Sequence, residues 1–203
     1  HEKFPGAVDT YCIESMMQDG KALQAGTSHY LGQTFSKSSN ISFVNNKGEN
    51  EFAYTTSWGV STRLIGGLIM SHGDDEGMVM PPRVAPYQIV IVPIIRKSED
   101  AEGVMNYITQ LSDKLKQMRP FGDDIRIKID NRYKNAADKF WEWTRKGAPI
   151  ICEIGPRDIE NNCLMVKERI KLGTPEGKEI VSKDEFINGI SERLENIQNT
   201  MFN

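Results

Sequence analysis

Thr55–Arg83 reads TTSWGVSTRLIGGLIMSHGDDEGMVMPPR, and its interpretation governs the rest of the chain. Ser57, Trp58, Gly59 and Val60 form a short strand-like run that passes through Ser61-Thr62-Arg63 straight into an apolar helix. Leu64, Ile65, Leu68 and Ile69 recur at helical spacing, so they are expected on one buried face. Arg63 then falls in the first helical turn, beside unpaired backbone N–H groups and the positive end of the helix dipole. A permanent cation is the wrong charge for that position, so something outside the helix is expected to compensate it. A nucleotide would do so through phosphate oxygens or through a base stacked on the guanidinium plane. The plainer alternative is a solvated Arg63, or one paired with Asp74 or Asp75.

Upstream, residues 1–37 read as antiparallel β structure. Thr10, Cys12 and Glu14 alternate with Tyr11, Ile13 and Ser15, and Asp19-Gly20 has the chemistry of a two-residue hairpin turn. Gln24, Thr27 and His29 follow on the next strand, where they nearly share one face as a polar row. The row holds no Asp, Glu or Cys, so it is not a metal cluster. ISFVNNKGENEFAY gives two more strands around an Asn-Lys-Gly turn. Downstream, Asp74–Pro86 is rich in Asp and Gly, then in Pro, and ends PPRVAP, the punctuation of a domain boundary.

Beyond that boundary strands alternate with helices. YQIVIVPII is a continuous apolar run of a strand buried on both faces. A helix over 99–118 carries Val104, Ile108, Leu111 and Leu115 on one side, and IRIKID is the next strand. A helix over 135–146 carries Phe140, Trp141 and Trp143 among basic residues, with Phe140 and Trp143 spaced for the core. APIICEI and CLMVKERI are strands with the GPRD turn between them, where Asp158 is expected to tie the turn. A helix over 184–202 closes the chain. The order implies a small α/β domain with a mixed sheet around a parallel core. Overall the fold class is α+β: an antiparallel-sheet domain over 1–82, then an α/β domain over 83–203.

The 203 residues carry 25 Lys and Arg against 28 Asp and Glu, a net charge of -3, which excludes a generally basic, nonspecific nucleic-acid binder. It leaves room for a local basic patch, since steering depends on where charge lies. No apolar run approaches the ~18 residues of a membrane span, so no membrane partner is expected. Three scattered cysteines without CxxC spacing point to a reducing compartment and away from a disulfide framework or a zinc site. His72 with Asp74-Asp75 reads as a helix C-terminus and a turn rather than a metal site.

The run SWGVSTRLIGGLIMSHGDDEGMVMPPRVAP resembles motif 3 of a class II aminoacyl-tRNA synthetase, specifically prolyl-tRNA synthetase of the archaeal/eukaryotic type. KALQAGTSHYLGQTFSK is similar to that family's segment joining its ATP and proline sites, and WEWTRKGAPIICEIGPRD to the core of its anticodon-binding domain. Synthetases for threonine, glycine and histidine share the two-domain plan, but TSHYLGQ followed by TSWGVSTR points to proline. The resemblance implies a proline–tRNA ligase using ATP and Mg2+, with tRNA(Pro) as partner, a cytoplasmic location and a homodimeric full-length enzyme. It assigns ATP contacts to Gln24, Thr27, Ser61 and Arg63, with Arg63 as the catalytic cation. It assigns the proline pocket to His29, Trp58 and Gly59 and places anticodon reading on the 135–146 helix and the strands around it. In that basic-aromatic cluster Arg132, Lys139 and Glu142 are the expected contacts, Glu142 as acceptor for a guanine edge, and no metal held by the protein is expected. The family's motifs 1 and 2 and its C-terminal zinc extension find no counterpart, so these residues are expected to be inactive in proline activation by themselves. A non-catalytic tRNA-binding module is the alternative; the retained set of ATP contacts speaks against it.

Overall fold

The computed structural model describes residues 3–202, and the chain divides into two compact units on either side of the Ser71–His72 bond. The first unit is built on a three-stranded antiparallel sheet. β1 (Asp9–Met16) pairs with β2 (Ala22–Gly32), beyond which come the short helix α1 (Thr34–Ser38) and a separate hairpin of β3 (Ser42–Val44) and β4 (Asn50–Phe52). β5 (Thr55–Gly59) then adds to the free edge of β2, and α2 (Arg63–His72) closes the unit. Three residues, 18–20, lie between the hydrogen-bonded Met17 and Lys21 of the β1–β2 connection, where a two-residue turn was expected. Met17 N–H bonds the Lys21 carbonyl, and Gly20, at φ 77°, donates back to Met17. A type I turn followed by one left-handed residue has this form, and the sequence Asp19-Gly20 suits it equally well.

One irregularity in β2 organises the unit. Ile13 pairs with Gly26 but Glu14 pairs with Gln24, so Ala25 is an extra residue, a β-bulge. Strict alternation would place Gln24 on the face opposite Thr27 and His29. The bulge reverses that parity, and Thr10, Cys12 and Glu14 of β1 come to share a face with His29, Thr27 and Gln24 of β2. Ser57 and Gly59 of β5, opposite His29 and Thr27, extend the same polar face. The other face carries Tyr11, Ile13, Trp58 and Val60, all at least 66% exposed.

α2 departs from its amphipathic reading. Leu64, Ile65 and Ile69 are exposed, and Gly67 is its one buried residue among those described. The helix meets the sheet at Gly67, where a Cβ would come within 2.7 Å of Leu23 Cδ2. A sheet three strands wide gives it no broader surface to pack against.

The second unit is a three-layer α/β sandwich. Its strands are β6 (Ile89–Pro93), β7 (Ile127–Ile129), β8 (Ile150–Ile154), β9 (Cys163–Glu168) and β10 (Lys178–Ser182), in the order β10-β9-β8-β6-β7. β6 runs parallel to both β7 and β8, and β9 and β10 add antiparallel at one edge. Every residue of β6 is buried. Ile89 and Ile91 point into a core shared with α3 (Ala101–Leu115) and α6 (Lys183–Phe202), while Val90 and Val92 point to α4 (Ala136–Arg145). Val104, Ile108, Leu111 and Leu115 all have zero exposure, as their spacing requires. The GPRD turn is the start of a five-residue helix, α5 (Pro156–Glu160), with Pro156 in its first turn and Asp158 Oδ2 accepting Gly155 N–H at 2.8 Å.

Residues 72–82, expected at the end of the first domain, lie in the second unit. Met78 and Met80 donate N–H groups to the carbonyls of Arg145 and Gly147, so the segment straps along the end of α4. Asp74 receives Nη1 of Arg169 at 2.8 Å and Nη2 on its other oxygen. Gly77 and Gly147 have φ of 126° and 75°, and a Cβ on either would lie 2.7 Å from backbone across the strap. Only glycine combines that conformation with so close an approach.

Candidate functional site

In the first unit the bulge and the start of α2 build a concavity of about 250 Å3 lined by Gln24, Ala25, Gly26, Thr27, Gly59, Val60, Ser61 and Arg63. It brings together two pairs of residues from segments far apart in sequence: Gln24 with Thr27, and Ser61 with Arg63. Arg63 Nη1 donates to Gln24 Oε1 at 2.9 Å. Gln24 in turn donates Nε2 to Cys12 Sγ at 3.4 Å. Ser61 Oγ accepts the Arg63 N–H at 3.3 Å and so satisfies one of the orphan donors of α2. Among the described residues no carboxylate lies within ion-pair distance of Arg63, and Asp74 is committed to Arg169. The compensation for Arg63 is therefore a neutral amide oxygen, which a phosphate oxygen would outcompete because it adds an opposite charge to the hydrogen bond. Thr27 Oγ1 lies 3.5 Å from where a Cβ on Gly59 would sit, so glycine keeps the floor open.

The three residues expected around proline are not gathered to the same degree. His29 shares the polar face, with Nδ1 3.0 Å from Thr10 Oγ1 and its ring stacked on Phe4 at 4.6 Å. Gly59 lines the concavity. Trp58 pairs with Ser28, so its indole points to the opposite face and is 80% exposed. Adjacent residues of one strand face opposite ways, so Trp58 and Gly59 do not present side-chain surface to one pocket.

The second unit holds a charged cluster before and along α4. Asp130, at the end of β7, is 1% exposed and accepts the Arg132 backbone N–H at 3.2 Å, Arg132 Nε at 2.8 Å, Arg132 Nη2 at 2.7 Å and Trp143 Nε1 at 2.8 Å. The Arg132 guanidinium, aided by the Trp143 indole, holds the Asp130 carboxyl well below the usual carboxylate range. Arg132 also reaches Glu142 Oε1 at 3.0 Å, and Lys146 and Lys134 reach the same carboxylate at 2.8 and 3.1 Å. Arg132, then Lys146 and Lys134, lower the Glu142 carboxyl to about 2. α4 starts where Asn135 Oδ1 accepts Ala137 N–H at 2.8 Å.

Arg132 and Glu142 thus meet, half-exposed, as one group. Three bonds to the Glu142 carboxylate leave about one of its four lone-pair sites for an outside donor. Lys139 does not join them. It is 5% exposed, with Nζ bonded to the Asp130 carbonyl at 2.9 Å, and it supports the loop from inside. Its helical position turns it inward, away from Glu142. Sequence reading missed Asp130 as the anchor of this cluster; its signal was the acid two residues before Arg132, the spacing of an Asx turn.

Two outcomes follow. The Glu142 carboxyl titrates near 2 by NMR, and in Arg132→Ala its midpoint rises toward the ordinary value of about 4.3. Because the folded value is depressed, its stabilisation is complete above the unfolded value and is lost as pH falls from about 4.5 to about 2. Lys139→Ala lowers stability to urea by about 1–3 kcal/mol through the lost buried bond.

Residues 88–193 match the family described as Anticodon binding domain. Over 200 residues the chain is 50% identical to proline–tRNA ligase 2 of Anaeromyxobacter dehalogenans, covering 98% of this chain and 39% of that protein. It is 51% identical to proline–tRNA ligase of Paramagnetospirillum magneticum, covering 100% of this chain and 40% of the other. A crystal structure of prolyl-tRNA synthetase from Cryptosporidium parvum, complexed with L-proline and AMP, superposes with a TM-score of 0.74 at 40% identity, over 98% of this chain and 40% of that one. The chain therefore spans about 40% of the length of these relatives.

Proposed function

The chain belongs to the anticodon-binding domain family, and from that premise we propose that it works in a proline–tRNA ligase, with the second unit, residues 72–203, as the anticodon-reading domain and the first, residues 1–71, as part of the ATP- and proline-binding core. The observation that carries this reading is the concavity that gathers Gln24, Thr27, Ser61 and Arg63 on the polar face of the β1–β2–β5 sheet. Its chemistry fits a nucleotide. Arg63 offers a cation to phosphate oxygens, Thr27 and Ser61 offer hydroxyls to ribose or base, and the Gln24 amide can turn either end to adenine. His29, two residues along the same face, is the residue assigned to the proline side of the site by this reading.

The reaction is attack of the proline carboxylate on the α-phosphorus of ATP with departure of pyrophosphate, followed by transfer of the prolyl group to tRNA. What these residues supply is positional and electrostatic: Arg63 stabilises charge on the phosphate, and the hydroxyls orient the nucleotide. The lining offers hydroxyl and amide oxygens but no carboxylate, so Mg2+ would enter with the nucleotide's phosphates rather than on a protein carboxylate cage. In the second unit Arg132 and Glu142 form the recognition pair, with the free lone pair of Glu142 as acceptor for a base edge.

The second reading, a tRNA-binding module without catalysis, draws on the Arg132–Glu142 cluster alone. The recognition half of the proposal is tested by binding of residues 1–203 to tRNA(Pro) and to the same tRNA with its anticodon exchanged, at one fixed salt concentration. Tighter binding to the natural anticodon is expected, with a loss of about 10–100-fold in Glu142→Ala. Equal binding to both RNAs would contradict anticodon reading.

A further inference from the structure

A second concavity lies wholly within the second unit, between the strap and α4, and of the residues given a recognition role above Arg132 alone lines it. It encloses about 530 Å3, inside the range of small-molecule sites, and its walls include Met78, Met80, Tyr87 and Trp143. Tyr87 and Trp143 stand edge to face, with centroids 5.9 Å apart and planes at 84°, and make an aromatic corner. Each ring has a lysine above it. Lys146 Nζ lies 4.7 Å from the Trp143 centroid, and Lys128 Nζ lies 5.9 Å from that of Tyr87. Lys128, Arg132 and Lys146 are all on the lining, and no Asp or Glu is. Lys146 and Arg132 are tied to Glu142, whereas Lys128 has no carboxylate within ion-pair distance among the described residues.

The corner is also rigid before anything binds. Trp143 is fixed by its bond to Asp130, and the strap by its bonds from Met78 and Met80 to the end of α4. An apolar slot with an aromatic wall suits a planar ring, and methionines adapt to its outline. An ammonium on the lining without a carboxylate partner, with two further cations on the same lining, suits an anion joined to that ring. We propose that this cavity is a nucleotide site, with the base held between the methionines and Tyr87 and the phosphate met by Lys128. The shared chemistry is a nucleobase with its phosphate, whether it comes as a free mononucleotide or as an unpaired nucleotide of an RNA. The proposal does not depend on the ATP concavity or on Glu142.

The test is NMR of the tryptophan indole N–H groups in the full chain, with the Trp143 resonance assigned through Trp143→Phe. Wild-type protein and Lys128→Ala are titrated with AMP, GMP, CMP and UMP, and separately with an anticodon stem-loop RNA. We expect the Trp143 resonance to move saturably with a mononucleotide, and the Lys128→Ala protein to need about tenfold more of it. Movement with the RNA alone, weakened in the same way by Lys128→Ala, assigns the site to an RNA nucleotide. A Trp143 resonance that stays still with both ligands, or that moves equally in Lys128→Ala, overturns the proposal. Anticodon-dependent binding that survives such a result would leave the Arg132–Glu142 reading intact.

Discussion

Arg63→Ala, made in a chimera that carries residues 1–203 in place of the aligned segment of the Anaeromyxobacter enzyme, lowers proline-dependent ATP–pyrophosphate exchange by about 10²–10³-fold. The size follows from what the guanidinium does in the ground state. It is held by the Gln24 amide and by no carboxylate, so its charge is available to the phosphate. Removing a preorganised donor from a developing charge costs about 2.7–4 kcal/mol, most of it in kcat. Arg63→Lys keeps the charge but loses the planar fork, so it recovers only part of the rate. Gln24→Ala has a smaller effect, because it removes a neutral contact to the base and leaves the Arg63 charge in place. Exchange unaffected by Arg63→Ala would move the catalytic cation elsewhere.

Asp74→Ala destabilises the second unit by about 3–5 kcal/mol, because it strands a buried charge. The Arg169 side chain is 1% exposed, and beyond Asp74 its donors reach only the carbonyls of Thr144 and Gly77. The reverse substitution, Arg169→Met, costs less: Asp74 is 47% exposed and takes up water once its partner is gone. Hydrogen bonds from Arg169 hold the Asp74 carboxyl below its usual value. The stabilisation is therefore full above the unfolded value near 3.9 and is lost as pH falls through the folded one. Urea unfolding followed by Trp143 fluorescence measures both variants. Equal losses in the two would show that the asymmetry in burial does not govern the cost.

Much of the second unit was legible in sequence because its signals are strong and local. The run of β6 is apolar at every position, α3 repeats its aliphatic residues at helical spacing, and Asn135 announces α4. β10 was not legible: only Val181 of its five residues is buried, so an exposed edge strand carries no alternation to read. The grouping of Gln24 with Thr27 and Ser61 with Arg63 was foreseen from the resemblance, but its cause was not. A bulge at Ala25 puts Gln24 on the correct face, and a bulge is a property of pairing between strands, not of one strand's pattern. Trp58 lies on the face opposite Ser57 and Thr27, since adjacent residues of a strand alternate.

Lys139 and α2 mark two other limits. A lysine among basic residues reads as surface, yet the carbonyl of Asp130 satisfies its ammonium inside the fold. Helical periodicity in α2 showed which residues would form a stripe, not whether anything covers it, and Leu64, Ile65 and Ile69 remain exposed. Asp74 was weighed as a partner for Arg63; its actual partner, Arg169, stands 95 residues away in sequence, a distance no local pattern reports.

Proline-dependent ATP–pyrophosphate exchange by the unsubstituted chimera tests the central claim most directly. If the concavity at Gln24, Thr27, Ser61 and Arg63 is part of a proline-activating site, the chimera exchanges label with proline and not with threonine, glycine or histidine. A folded chimera that binds tRNA(Pro) but exchanges with no amino acid would contradict that claim and leave a tRNA-binding module.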